Sequence, residues 1–328
     1  MKRSIVILHP GALGDVLLAV PTIRNLGMRF PQHEILLVAG ATVSRFLHLC
    51  RLVDDWMSIE GRECAGLFTG CAHLSVELQS WLQRCDVVVA WTEDKDGALA
   101  ALVRRWSVAE AHIQSPFSPR LRASHQRDRF LETIGQTEEE VSSERTIEIP
   151  HDLVEQGRIY LESMGIMPDR PVVLVHPGSG SMHKCLGPGK VAFMLQRLQR
   201  GGVCPLVLEG PADHDTVEPA LKLMSRRPPV LRNLDLSLLA GILADAALYL
   251  GHDSGITHLS ALLGVRTIAI FGPTDHARWA PIGDHVAVLR GAPCVCPSWE
   301  AVKGCHEKPC LDVSIEQILT TLGLEARV

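Results

Sequence analysis

Uninterrupted apolar runs alternate with amphipathic segments along the first half of the chain. Strands are predicted where β-branched and aliphatic residues follow one another, at 4–9 (SIVILH), 34–40 (EILLVAG) and 85–91 (CDVVVAW). Helices are predicted where apolar residues recur at helical spacing, at 14–30 (through Pro21), 41–50 and 96–106. Apolar strands joined by helices indicate a parallel sheet that is covered on both faces.

The second half repeats this alternation after a polar, acidic segment at 136–151. Its predicted strands are 171–177, 203–210, 247–253 and 266–273, and its predicted helices are 151–165, 189–200, 236–246 and 254–264. A closing helix begins at Ser314, which is suited to an N-cap. The pattern predicts two Rossmann-like α/β domains, 1–150 and 151–328.

A short motif occurs once in each predicted domain, directly after the first strand. HPGALGD spans 9–15, and HPGSGSMHK spans 176–184. In both motifs the histidine and proline are expected to shape the turn, and the residues that follow to carry the chemistry. Because ligands of such domains bind at the carboxyl ends of the strands, we expect the two parallel sheets to face a central cleft.

Composition and charge narrow the functional classes. The 328 residues are 46% hydrophobic and 21% charged, with a net charge of −5, which argues against a general nucleic-acid binder. No apolar run is long enough to span a bilayer, and the initial run is too short for a signal peptide. We therefore expect a cytoplasmic protein without a transmembrane segment.

Four of the ten cysteines cluster late in the chain, at Cys294, Cys296, Cys305 and Cys310. Four thiolates within such a segment could hold zinc, although this spacing differs from that of common zinc fingers. Reduced loop cysteines are the favoured interpretation, and a disulfide is the least favoured in a cytoplasmic chain.

Three stretches could carry chemistry. Asp15 begins a predicted helix, where it could act as a base or only as a cap. Ser179, Ser181 and Lys184 could bind phosphate, or could form a solvated surface loop. Asp253, Ser254, Gly255 and His258 surround another helix start suited to an anion, although a lone histidine there is more often part of the core.

The stretches GALGDVLLAVP, HPGSGSMHKCLGPGKVA, LEGPADHD, GHDSGITHLSALLGV and IAIFGPTD occur in this order along nearly the whole chain. Together they resemble the ADP-heptose:lipopolysaccharide heptosyltransferases, glycosyltransferase family 9. The resemblance implies a GT-B fold, with the acceptor on the N-terminal domain and the nucleotide sugar on the C-terminal domain. It implies inverting transfer of a heptose from ADP-heptose to the lipopolysaccharide inner core, at or near the cytoplasmic face of the inner membrane.

The resemblance also assigns roles to residues. Asp15 matches the aspartate proposed as general base, with Gly14 beside it on the acceptor side. Lys184 matches the lysine that faces the donor phosphates, with Ser179 and Ser181 nearby. The late motif that holds the donor sugar and diphosphate matches Asp253, Ser254, Gly255 and His258. Asp213 or Glu209 falls near the family's acid that contacts the nucleoside. Neither a metal ion nor another cofactor is implied.

Two features are particular to this chain. Leu186 stands where the family commonly has tryptophan, which affects the wall of the donor pocket. The arginines of the first half suggest a basic patch that guides the anionic acceptor, or a solvated face: Arg104, Arg105, Arg120, Arg122, Arg127 and Arg129.

Three other functions remain open on the sequence alone. One is another GT-B enzyme with a different sugar donor, or a 2-epimerase that needs no acceptor. Another is a non-catalytic nucleotide-sugar-binding relative, although retention of Asp15, Lys184 and the late motif argues against it. A nicotinamide oxidoreductase is the weakest alternative, because neither half carries G-x-G-x-x-G.

Overall fold

The chain divides into two compact units, Met1–Glu144 (unit 1) and Arg145–Val328 (unit 2). The computed structural model describes residues 2–64, 66–67, 74–116, 124–137, 146–166 and 172–323. The division falls within the polar segment at 136–151 that the sequence marks as the connection. Each unit contains its own parallel sheet with flanking helices, which confirms the predicted α/β class.

Unit 1 is built on a five-stranded parallel sheet in the order β3-β2-β1-β4-β5. Its strands are β1 (Arg3–His9), β2 (His33–Ala39), β3 (Asp55–Ser58), β4 (Cys85–Ala90) and β5 (Glu110–Ile113). Its helices are α1 (Leu13–Leu18), α2 (Val20–Arg29), α3 (Ala41–Leu49), α4 (Val76–Gln83), α5 (Ala98–Arg105) and α6 (Gln126–Thr133). The central strands β1 and β4 are almost completely buried, as apolar runs require.

The structure corrects the single helix predicted over 14–30. The segment forms two helices, because α1 ends at Leu18 and α2 begins at Val20. Pro21 lies in the first turn of α2, where its missing N–H costs nothing. Within one continuous helix the proline ring would clash with the carbonyl four residues earlier, so the chain breaks at Ala19 instead.

Unit 2 is built on a six-stranded parallel sheet in the order β11-β10-β9-β6-β7-β8. Its strands are β6 (Val172–His176), β7 (Cys204–Glu209), β8 (Val230–Arg232), β9 (Leu248–His252), β10 (Thr267–Phe271) and β11 (Val286–Arg290). Its longer helices are α7 (His151–Ser163), α8 (Pro188–Arg200), α9 (His214–Lys222), α10 (Leu236–Ala244), α11 (Gly255–Leu262) and α14 (Ile315–Leu322). Two shorter helices are α12 (His276–Trp279) and α13 (Trp299–Gly304).

The strand order places one topological switch point in each sheet. In unit 1 the first strand, β1, pairs with β2 on one side and β4 on the other. In unit 2 the first strand, β6, pairs with β7 on one side and β9 on the other. Ligands of open parallel sheets bind at the carboxyl ends of the strands at such points. No helix in the described part of the chain combines the length and the apolarity needed to cross a bilayer.

Candidate functional site

The first candidate residue, Asp15, lies where the chain leaves β1 in unit 1. The chain turns after His9, and Asp15 stands in the first turn of α1. Its Oδ2 accepts a hydrogen bond from the Ala12 N–H at 3.0 Å, which closes the start of the helix. The side chain stays partly exposed, and Gly14 beside it adds no bulk. A partly exposed carboxylate at a sheet's carboxyl edge can accept a proton from a bound hydroxyl.

The side chain of His9 stabilises this turn. Its ring is buried, with its centroid 5.2 Å from those of both Trp91 and Phe130. Burial lowers the pKa of His9 to about 4, so the ring is neutral near pH 7. Its Nδ1 accepts the Gly11 N–H at 3.1 Å. His9 therefore shapes the turn that carries Asp15, in line with the role predicted for it.

The proposed basic patch of unit 1 is only partly consistent with the structure. Arg127 is 8% exposed, and its Nε donates to the Asp128 Oδ1 at 2.9 Å. Arg129 is 2% exposed. Neither arginine therefore offers its charge to a surface ligand, because α6 packs both into the unit. Arg104 and Arg105 at the end of α5 are exposed, and Arg120 and Arg122 lie outside the described residues.

In unit 2, the loop after β6 carries the predicted phosphate-binding residues. Ser179 is buried, and its Oγ donates to the backbone carbonyl of Asp253 at 2.5 Å. The Ser181 Oγ accepts the His183 N–H at 3.3 Å and so caps a short 3₁₀ turn, Met182–Lys184. That turn ends on Lys184, whose side chain is partly exposed.

The neighbouring strand β9 ends beside this loop and leads into α11. Ser254 is the N-cap, and its Oγ accepts the Thr257 N–H at 3.4 Å. The backbone N–H groups at a helix start have no acceptor within the helix, so those around Gly255 suit an anion. His258 lies in this helix and is 7% exposed, so most of its ring belongs to the packed interior.

An ion pair joins the two segments. The Lys184 Nζ lies 2.8 Å from the Asp253 Oδ2, and the Leu186 N–H donates to the His252 Nε2 at 3.0 Å. Burial lowers the pKa of His252 to about 4, so this ring is a neutral acceptor. We call the group formed by Ser179, Ser181, Lys184, Asp253, Ser254 and Gly255 the switch-point site. The structure thus brings together six of the predicted residues, which the sequence places in two separate stretches.

Asp213, which is predicted to lie near the nucleoside, contacts groups of unit 2. It is 6% exposed, and its Oδ2 lies 2.9 Å from the His176 Nε2 and 2.8 Å from the Gly210 N–H. Glu209 is also buried, and its carboxylate contacts Arg232 and His214, each at 3.1 Å. Both acids are therefore engaged inside unit 2.

Three residues of this region were not assigned a site role from the sequence. The Tyr249 hydroxyl lies 3.3 Å from the His176 Nδ1 and 3.1 Å from the Thr257 Oγ1. Only the second His-Pro-Gly motif hinted at His176. In the sequence, nothing distinguishes Tyr249 and Thr257 from the ordinary residues of a strand and a helix.

The late cysteines approach one another in unit 2. The Cys296 thiol lies near those of Cys294 and Cys305, and the Cys310 thiol lies near that of Cys294. Partial burial and the neighbouring thiols raise the pKa of Cys296 to about 11, so it stays protonated near pH 7. All four are free cysteines. Among the described residues, no group of three or more histidine, cysteine or acidic side chains is arranged to hold a metal ion.

Comparisons with known proteins give one consistent family. The model described as glycosyltransferase family 9 (heptosyltransferase) matches residues 87–310. Lipopolysaccharide heptosyltransferase 3 of Escherichia coli K12 is 22% identical over 295 residues, which cover 83% of each chain.

Two solved structures share the fold over nearly the whole chain. A family 9 glycosyltransferase from Veillonella parvula has a TM-score of 0.78 at 20% identity, covering 98% of this chain and 96% of its own. The ADP-heptose lipopolysaccharide heptosyltransferase II of E. coli has a TM-score of 0.74 at 16% identity, covering 98% and 97%. This likeness confirms the predicted GT-B fold class.

Proposed function

Because the chain belongs to glycosyltransferase family 9, the heptosyltransferases, we propose that it moves a heptose from ADP-heptose to the lipopolysaccharide inner core. Glycosyl transfer itself follows from the family. The donor, the acceptor and the course of the reaction are the proposal. The observation that carries it is the switch-point site, where Lys184 and the start of α11 stand at the carboxyl ends of adjacent strands.

The donor diphosphate is assigned to the switch-point site. The Lys184 ammonium supplies a positive charge, and the start of α11 supplies N–H groups at Ser254 and Gly255. Ser179 holds the Asp253 backbone, and Ser181 holds the turn that carries the lysine. Asp253 orients Lys184 and is available to the sugar hydroxyls, while His258 supports the helix from within.

The acceptor is assigned to unit 1, with Asp15 as the general base. Asp15 takes the proton from the acceptor hydroxyl while that oxygen attacks the anomeric carbon of the heptose. The bond between the anomeric carbon and the diphosphate oxygen breaks in the same displacement, so the configuration inverts. ADP leaves with the bonding electron pair, and Lys184 and the start of α11 neutralise its charge. No metal ion or other cofactor takes part in this scheme.

The proposed acceptor also suggests the location of the enzyme in the cell. We place it at the cytoplasmic face of the inner membrane, where it would bind peripherally. The exposed arginines Arg104 and Arg105 fit an anionic acceptor, because guanidinium groups pair well with phosphate and carboxylate. Arg120 and Arg122 keep this role as a proposal. Arg127 does not, because it is buried against Asp128.

The base is tested with Asp15→Asn. The amide oxygen can still accept the Ala12 N–H, so the helix start is kept while the basic oxygen is lost. We expect heptosyl transfer to fall by about 10²–10⁴-fold and ADP binding to stay unchanged. Asp96→Asn, at an exposed carboxylate of unit 1, is the matched control and should transfer normally. Near-normal turnover of Asp15→Asn would falsify the assignment.

The donor is tested with purified protein and ADP-heptose beside UDP- and GDP-sugars. Nucleotide release is measured with and without a lipopolysaccharide acceptor. We expect release from ADP-heptose only, and only with the acceptor. Nucleotide release from another sugar nucleotide would show that the donor is not ADP-heptose. Turnover without an acceptor would indicate a different class of reaction.

A further inference from the structure

Asp213 lies at the start of α9 with its carboxylate surrounded by donors from the neighbouring loops. The His176 Nε2 lies 2.9 Å from Oδ2, and the Gly210 N–H donates to the same oxygen at 2.8 Å. Both donors bind one oxygen, and Asp213 is only 6% exposed, so little of the carboxylate is available to an external ligand.

The same carboxylate fills the space above the loop after β6. A Cβ atom added to Gly178 would lie 1.9 Å from the Asp213 Oδ1, and no real side chain tolerates that distance. A side chain at Gly178 would therefore displace the Asp213 carboxylate from its present position. Asp213 is thus in direct contact with the loop that leads to Ser179 and Lys184.

The bond to Asp213 also fixes the proton on the His176 ring. A carboxylate accepts only, so His176 donates through Nε2 and, when neutral, presents Nδ1 as an acceptor. The Ser254 Oγ lies 3.3 Å from this Nδ1. Thr257 donates its hydroxyl proton to the His252 carbonyl and so can accept the Tyr249 hydroxyl at 3.1 Å. One assignment of protons thus satisfies the whole chain of hydrogen bonds from Asp213 to the start of α11.

We infer that Asp213 is a positioning residue of the switch-point site: it holds the loop after β6 directly and the Ser254 cap through His176. The inference rests on the proposed donor site, and it replaces the expected contact between this acid and the nucleoside. Asp213 touches no reacting atom in this role. It sets two segments, 178–184 and 253–257, in the relative position that a diphosphate needs.

The ionisation of Asp213 agrees with this role. Burial alone would raise the pKa of its carboxyl, but the hydrogen bond from His176 and the neighbouring backbone N–H groups of Gly210 and Ser179 lower it below the ordinary value. The group is therefore a carboxylate near pH 7 and can accept from His176 and Gly210 at once.

The first test is Asp213→Asn. The amide removes the negative charge, so the hydrogen bonds from His176 and Gly210 are no longer charge-assisted, and it places an NH₂ group where Oδ1 stood. We expect the Kd for ADP and the KM for the sugar nucleotide to rise roughly 10- to 100-fold, as for the loss of a charge-assisted hydrogen bond. The KM for the acceptor should not change. Asp215→Asn, at an exposed position of the same helix, is the matched control and should behave as the unsubstituted enzyme.

A purely structural role would reduce the active fraction, and thus kcat, with unchanged donor KM. The proton on His176 gives a readout that is independent of turnover. Nitrogen-15 NMR of the histidine rings should show His176 protonated at Nε2, and Asp213→Asn should disturb this resonance. His176→Gln provides a second variant, because it keeps a donor toward Asp213 but loses the ring acceptor. It should raise the donor KM as well.

The outcomes separate this inference from the proposed function. Unchanged ADP affinity and an unchanged His176 resonance in Asp213→Asn would overturn the inference, even if the enzyme transfers heptose. Lowered kcat at constant donor KM in both variants would also overturn it. An unsubstituted enzyme that binds ADP but does not use ADP-heptose would overturn the proposed donor alone, since ADP binding still reports on Asp213.

Discussion

Replacing Lys184 with methionine removes the positive charge that stands 2.8 Å from the Asp253 carboxylate. The Asp253 side chain is 9% exposed and that of Lys184 is 24% exposed. Breaking a fully buried pair costs about 3–5 kcal/mol. Because the lysine is partly in water, we expect a smaller loss of about 2 kcal/mol in the unfolding free energy of unit 2. For a unit of this size the melting temperature should fall by about 4–8 °C.

The double variant Lys184→Met/Asp253→Asn separates stability from binding. It removes the buried unpaired carboxylate, so most of the lost stability should return. ADP affinity should not return, because the cation that faces the diphosphate is still missing. A charge-assisted hydrogen bond contributes about 1.5–3 kcal/mol, so both variants should bind ADP roughly 10- to 100-fold more weakly.

Thermal unfolding followed by circular dichroism and ADP titration by calorimetry measure the two effects. Lys190→Met is the matched control, because Lys190 forms an exposed pair with Asp312. An exposed pair contributes about 0–1 kcal/mol, so this control should bind ADP normally and melt almost unchanged. The reasoning is refuted if the double variant regains ADP affinity, or if Lys184→Met binds ADP as well as the control.

Three further predictions concern the two buried histidines, the loop after β6 and Trp299. Burial lowers the pKa of His9 and His252 to about 4, so the unfolded chain binds more protons below pH 6.5. The urea concentration at the midpoint of unfolding should therefore decrease for both units as the pH is lowered from 6.5 to 4. A midpoint that stays constant over this range would contradict the assigned burial. Gly178→Ala should weaken ADP binding in calorimetry. Gly180→Ala, whose Cβ would meet open space, should bind ADP normally. Equal ADP affinities of the two variants would show that the loop is not confined. The Lys184 Nζ, which we propose binds the donor phosphates, lies 6.0 Å from the centroid of the Trp299 ring. ADP binding should therefore change the tryptophan fluorescence. This change should vanish in Trp299→Phe, and its persistence would assign the signal to another tryptophan.

Burial explains which strands could be predicted from the sequence. β1, β4, β6 and β9 lie inside their sheets and are apolar along almost their whole length, so they stand out as uninterrupted runs. The edge strands β3, β5, β8 and β11 were missed. They are short or only partly buried, and their mixed composition resembles that of loops.

The candidate site was predictable only as separate segments. The resemblance identified Lys184 and Asp253, yet only the folded sheet shows that they form an ion pair. Asp213 and His176 are partners across 37 positions of sequence, and no local pattern encodes that distance. The role of a buried acid depends on the donors that surround it, so the sequence could suggest a polar function for Asp213 but not which one.

The pairing of β6 with β9 has a consequence for biogenesis. His176 lies opposite Gly251 in the sheet, and the contacts that join the two strand ends span 66 to 78 positions of sequence. A nascent or truncated chain that ends before β9 contains β6 and its loop but has no Asp253 or Ser254. We therefore expect nucleotide affinity to appear only once β9 has inserted between β6 and β10. From that point the ligand stabilises unit 2 by mass action, so nucleotide retention reports on completed folding.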